Sequence, residues 1–176
     1  MKIKIENDLN QKFSKGTIWL HWLTALLILI LVLSSFKIAG FGSIERMQMI
    51  KMHLLIGSFV FIFTIIRTYL FFNTKQPEHL KTGSKFIDKL AIWNHYLLYI
   101  LLFVISIMGI VVIFTGNYIE GISSGSIDNI IPQKEISILK YHVLITFLAV
   151  LLVIMHVIGV IKHYIFTKEN TLKRIL

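Results

Sequence analysis

Residues 139–159 read LKYHVLITFLAVLLVIMHVIG, an apolar run with a histidine near each end, His142 and His156. A helix of about 20 such residues crosses the hydrocarbon core of a bilayer. An ionisable side chain in a membrane span is costly, faces the protein interior, and by default marks a functional site. Two in one helix call for a shared explanation.

Outward from this run, three more apolar stretches occupy residues 17–36, 52–72 and 91–114, and the quoted one continues to about 166. The chain has 176 residues, of which 56% are hydrophobic and 15% charged, more apolar than a soluble domain of this size. Pro77 and Pro132, the two prolines, fall between the stretches, where they end helices without breaking one. The sequence contains no internal repeat and no low-complexity segment. These features predict an all-α integral membrane four-helix bundle, one domain over residues 1–176. The first stretch is too long for the apolar core of a signal peptide and is followed by no small-residue cleavage pattern, so it is expected to remain as an anchor. With no cysteines, disulfides, thiolate-held iron–sulfur clusters and covalent haem attachment through C-x-x-C-H are excluded.

The formal net charge of +9 reads as a topology signal. Lys2, Lys4, Lys12 and Lys15 precede span one; Arg67, Lys75, Lys81, Lys85 and Lys89 flank the middle loop; Lys162, Lys168, Lys173 and Arg174 end the chain. Only Lys37, Arg46, Lys51, Lys134 and Lys140 lie on the other side. The positive-inside rule then places both termini and the middle loop in the cytoplasm, with the lysines and arginines facing lipid headgroups. No aromatic–basic module accompanies the charge, so nucleic acid is not an expected partner.

With the orientation set, each histidine has a depth. Span one starts inside, so His21 lies about one turn within the inner boundary. Spans two and four start outside, placing His53 and His142 near the outer boundary. His156, 14 residues after His142, lies roughly 21 Å further along at 1.5 Å per residue. At about 100° per residue the two return to within roughly 40° of the same face. Two opposed pairs result, His53 with His142 and His21 with His156. Facing imidazoles across a helix bundle are the ligand set for a six-coordinate haem iron. The spacing therefore predicts two stacked, non-covalently held haems, with the last helix as the frame between them.

A single histidine in a span is more often a satisfied hydrogen-bonding residue; matched depth across three spans shifts the balance to ligation. A transition-metal transporter would gather its ligands at one depth, usually with carboxylates or thiolates, and a proton-coupled carrier would need acidic groups. None of the four spans contains Asp or Glu. Arg67, 14 residues after His53, points toward the inner haem, where a guanidinium binds a propionate through paired hydrogen bonds; the competing reading is that it snorkels to the interface. His95, also one turn inside the inner boundary, competes with His21 as a ligand; His21 is preferred, with His95 bonding a propionate, a quinone carbonyl or a backbone group. His163 shares the face of His156 at the membrane edge and is expected to meet a propionate or water. His79 is expected to be solvated. Gly57 and Gly109 provide either close helix approach or room for a porphyrin plane.

These residues resemble the bacterial cytochrome b561 proteins, small four-span dihaem proteins of the inner membrane related to hydrogenase cytochrome subunits. The resemblance covers nearly the whole chain and is carried by His21-Trp22, His53 with Gly57, Arg67, His95, the His142 and His156 pair, and the tail HYIFTKENTLKRIL. The chain departs from the family pattern at Ser106, where a proline is common, and at Phe71, where a second arginine is common. The resemblance implies two haem b groups and electron transfer between an outer-face donor and ubiquinone or another membrane quinone. It includes members that oxidise superoxide, and superoxide or another periplasmic electron donor is the expected source. A hydrogenase-type cytochrome subunit and a non-enzymatic membrane haem sensor or assembly protein are the alternatives. Lys51 and Lys140 each sit two residues before an outer histidine, with Glu120 and Asp128 farther out in the third loop. Their field would steer a small anion to the outer haem, or they would only anchor helix ends; given the resemblance, steering is the expectation.

Overall fold

A computed structural model describes residues 8–40, 43–126 and 130–176, with the side chains of residues 39, 40, 43 and 44 outside the description. Lys2, Lys4 and Asp128, three of the charged residues weighed above, therefore lie outside the described residues. Four long helices, α1 (Lys15–Gly40), α2 (Ser43–Asn73), α3 (Lys85–Thr115) and α5 (Ser137–Thr167), form the bundle, with a short α4 (Tyr118–Ser124) after α3. All four are long and apolar enough to cross a membrane. Each overshoots its apolar stretch: the 31 residues of α5 rise about 46 Å, well beyond a hydrocarbon core of about 30 Å. Backbone hydrogen bonding thus continues past the apolar residues into the interface.

Local chemistry sets the helix ends. Ser14 caps α1, its hydroxyl accepting from the Thr17 N–H at 3.2 Å. The Gln76 amide donates to the Phe71 and Thr74 carbonyls at the end of α2, both at 3.1 Å. Asp88, in the first turn of α3, accepts from the Thr82 N–H and hydroxyl at 2.8 and 2.7 Å, a carboxylate at the positive end of the helix. Lys168 ends α5 in a left-handed conformation, its N–H donating to Tyr164.

The helices pack in two couples, α1 on α2 and α3 on α5, joined where α2 meets α3. Thr24 and Thr64 are completely buried, and each hydroxyl donates to the carbonyl four residues earlier. Turning the hydroxyl onto the helix's own backbone leaves a small side chain that lets helices approach. At one end the N-terminal segment, the middle loop and the tail come together: Arg174 donates to the Gln11 carbonyl at 3.0 Å and the Glu78 carbonyl at 2.8 Å. This is the basic end. At the opposite end Val112, Tyr118 and Ile136 form an apolar cluster that takes in Ile50 of α2 and Ile138 and Leu139 of α5. Gly116 turns beneath it, where a Cβ would come within 2.7 Å of Ile136 and 2.5 Å of the Tyr118 ring. Burial raises the Tyr118 phenol above its usual range despite a hydrogen bond with Gln133, so this cap stays neutral.

Candidate functional site

The histidines occupy two levels of the bundle. At the level farther from the basic end, His53 on α2 and His142 on α5 are near enough to interact electrostatically. His142 Nδ1–H donates to the Ile105 carbonyl of α3 at 3.1 Å; a carbonyl only accepts, so the proton lies on Nδ1. His53 Nδ1 meets the Ser34 hydroxyl of α1 at 3.0 Å, and that hydroxyl donates its one hydrogen to Leu31 at 2.8 Å. With that hydrogen on Leu31, Ser34 accepts from a His53 ring protonated on Nδ1. His142 holds its proton on Nδ1 and presents the Nε2 lone pair, and the Ser34 contact supports the same tautomer at His53, the arrangement that supporting hydrogen bonds impose on metal-binding imidazoles. Gly109 gives the His142 ring its seat on α3, with 3.4 Å between a would-be Cβ and Cε1; a Cβ on Gly57 would meet nothing within 4 Å.

At the basic-end level, His21 on α1 and His156 on α5 face each other with ring centroids 6.4 Å apart. Two metal–nitrogen bonds of about 2 Å with an imidazole on each side put centroids roughly 6 Å apart, so this pair has the span of an axial ligand set. His95 is closer to His156, 4.8 Å and edge-on, too close to hold an iron between them. Its Nδ1–H donates to the Ala91 carbonyl at 2.8 Å, the backbone partner among the three contacts expected for it. Arg67 donates from Nη2 to His21 Nδ1 at 3.3 Å, and its guanidinium lies over the Tyr99 ring at 5.2 Å. A guanidinium has no lone pair to offer, so His21 is here the acceptor, opposite in sense to the other level.

The donor set fits haem. Arg67 Nε is buried without a hydrogen-bond partner, a cation inside the bundle with a free N–H for an anionic oxygen such as a propionate. Among the described residues no three His, Cys, Asp or Glu side chains group as a protein-only metal site would require. One opposed pair of imidazoles at each level, with His95 beside the second pair and bonded to its own helix, leaves the remaining metal positions to a porphyrin.

The remaining predicted residues sit at the rims. His163 donates to Glu169 at 2.9 Å, a carboxylate of its own chain. His79 is exposed, and so are Lys51 and Lys140 on the turns that lead to His53 and His142. At the two family departures, the Ser106 hydroxyl donates to the Leu102 carbonyl at 2.8 Å, the group a proline there would leave unpaired. Phe71 packs edge-on against Tyr96 at 5.9 Å, joining α2 to α3. Ser34 was missed in the sequence reading; its signal is a hydroxyl in an apolar span at the depth of His53.

Three comparisons bear on this geometry. The family described as prokaryotic cytochrome b561 matches residues 12–176. A Yersinia pestis protein described as a probable superoxide oxidase CybB is 26% identical over 176 residues, 96% of this chain and 97% of the relative. The Escherichia coli protein described as cytochrome b561 homolog 1 is 25% identical over 171 residues, 94% and 97% of the two chains. With four membrane-length helices and histidines paired across their interior, the chain belongs to the prokaryotic cytochrome b561 family and is a multi-pass membrane b-type cytochrome.

Proposed function

We propose that the protein carries two haem b groups and moves electrons from superoxide at its outer face to a quinone in the inner membrane. The observation that carries this reading is the opposition of His21 and His156 at 6.4 Å beside a buried guanidinium. The second, independently supported pair lies at the far level. His53 and His142 would hold the outer haem, His21 and His156 the inner one. When bound, haem b would supply a one-electron redox centre for these imidazoles to hold. His142 and His156, roughly 21 Å apart along α5, keep the two centres in register across the membrane.

The protein's own residues do the rest. Ser34 and the Ile105 carbonyl hold the outer imidazoles in the ligating tautomer. Arg67 offers two N–H groups to a propionate, and an anionic oxygen is a stronger partner than His21 Nδ1, so the Arg67–His21 bond is the one that gives way. That would free His21 to carry its proton on Nδ1, the tautomer His142 holds. Lys51 and Lys140 raise the potential at the outer rim and draw in a small anion. Two superoxide ions each release one electron and leave as dioxygen; one quinone takes up two electrons and two protons from the inner side. The basic end, which gathers the middle loop and both terminal segments, is the cytoplasmic face by the positive-inside rule. The printed description of the Yersinia pestis relative supports the choice of donor.

Stopped-flow mixing of the purified holoprotein with superoxide, with and without ubiquinone, tests the reading. Rapid reduction followed by quinone-dependent reoxidation is expected. Reduction only through a co-purifying hydrogenase-type partner would move the protein to the hydrogenase-subunit class, and no turnover with any donor would move it to a haem sensor or assembly role.

A further inference from the structure

The segment after α5 does more than end the chain. Arg174 is only 5% exposed, whereas an arginine is ordinarily solvated. Its Nε donates to the Gln11 carbonyl and its Nη2 to the Glu78 carbonyl, while its own carbonyl accepts from the Phe13 N–H at 3.1 Å. The Asp8 and Glu78 carboxylates supply the opposing charge. One residue on, the Ile175 carbonyl accepts from the Trp22 indole N–H at 2.8 Å, and the Trp22 ring stands edge-on to His21 at 5.4 Å. The Lys12 ammonium reaches the Leu176 carbonyl at 3.1 Å.

These contacts matter because of how the helices pair. His21 is on α1 and His156 on α5, but α1 packs along α2 and α5 along α3. Among the described residues the main packing of α1 is on α2 and that of α5 is on α3, so the gap between the two imidazoles is not set by extensive α1–α5 packing. At the opposite end an apolar cluster joins Ile50, three residues before His53, to Ile138 and Leu139, just before His142. At the basic end the tail takes that part. It is the covalent continuation of α5, and it grips the residues that lead into α1 and the loop that follows α2.

We propose that Arg174 is a positioning residue: by pinning the tail to residues 11–13, Glu78 and Trp22, it sets the separation of His21 and His156 without touching either. The spectroscopic arm of its test rests on the haem reading above; the exchange arm does not.

The experiment compares wild-type holoprotein with R174Q, R174K and W22F in nanodiscs. Arg174→Gln removes the charged donors, and Trp22→Phe keeps the ring while removing its N–H. Amide hydrogen exchange in residues 13–20 should rise roughly tenfold to hundredfold in R174Q, the range for losing a buried charged hydrogen bond. Exchange in residues 136–142, at the far end, should stay at the wild-type rate. W22F should raise exchange at the start of α1 in the same direction, and R174K should fall between wild type and R174Q. In the loaded protein only one of the two low-spin haem signals should shift its largest g-value and lose occupancy, the one also lost in H21A. Unchanged exchange in R174Q, or equal acceleration at both ends of the bundle, would overturn the proposal. If R174Q does not accumulate, W22F decides by the same two readouts. Should wild-type protein bind no haem while the exchange pattern appears as described, the haem reading fails and the positioning role of Arg174 stands.

Discussion

Replacing Ser34 by alanine isolates one hydrogen bond of the His53–His142 level. The Ser34 hydroxyl accepts from His53 Nδ1–H at 3.0 Å while donating to Leu31, so the substitution strands an N–H donor inside a membrane span. Leaving such a donor unsatisfied costs about 1–3 kcal/mol. Removing the supporting partner of a metal-bound imidazole typically lowers metal affinity by about 10–100-fold, which at about 1.4 kcal/mol per tenfold is the same range. S34A should therefore lose its outer haem about 10–100 times more readily to a soluble haem acceptor, with the inner haem unaffected. Ser35 is the built-in control: its hydroxyl donates to the Val32 carbonyl at 2.7 Å, and it is exposed. S35A removes a hydroxyl of the same helix turn and should behave as wild type. Haem loss from S34A no faster than from S35A, or equal loss of both haems, would refute the reasoning that Ser34 fixes the tautomer of His53.

Alanine at His53 or His142 should remove one low-spin spectral species and alanine at His21 or His156 the other; depletion of a single species by both H142A and H156A would show that the pairing by depth is wrong. A periplasm-active reporter fused after Leu176 should stay silent, because the tail joins the basic end through Arg174; strong activity there would invert the orientation. Replacing both Lys51 and Lys140 with glutamine should slow superoxide-driven reduction and flatten its dependence on salt, which screens beyond about 8 Å near physiological ionic strength, while haem content stays whole. A double variant with the wild-type rate and salt slope would remove steering as their role.

The four spans, their order and the two levels of His21, His53, His142 and His156 were legible in the residues, because length and rise act along one axis. About 20 apolar residues cross the core, and 14 residues between His142 and His156 return the second ring to the face of the first. The meeting of His21 with His156 at 6.4 Å agrees with that depth reading. The helix ends were less legible: α2 starts at Ser43, well before its apolar stretch, since backbone hydrogen bonds do not require apolar side chains. The short α4 carries too few residues to show a period.

The choice of partner for each imidazole was decided only in three dimensions. Ser34 lies 19 residues before His53, Ile105 lies 37 before His142, and Arg67 lies 46 after His21. Which groups meet depends on how each helix is rotated about its axis. In a bilayer, hydrophobicity does not choose that rotation, since every apolar face is at home in lipid; close packing at small residues such as Thr24, Thr64 and Gly109 does. The tail belongs to the same class. In the sequence Arg174 is one more basic residue of a positive-inside terminus, and only the folded chain brings it to the carbonyl of Gln11, 163 residues away. Depth is a property of one helix and could be counted; contact is a property of two and had to be seen.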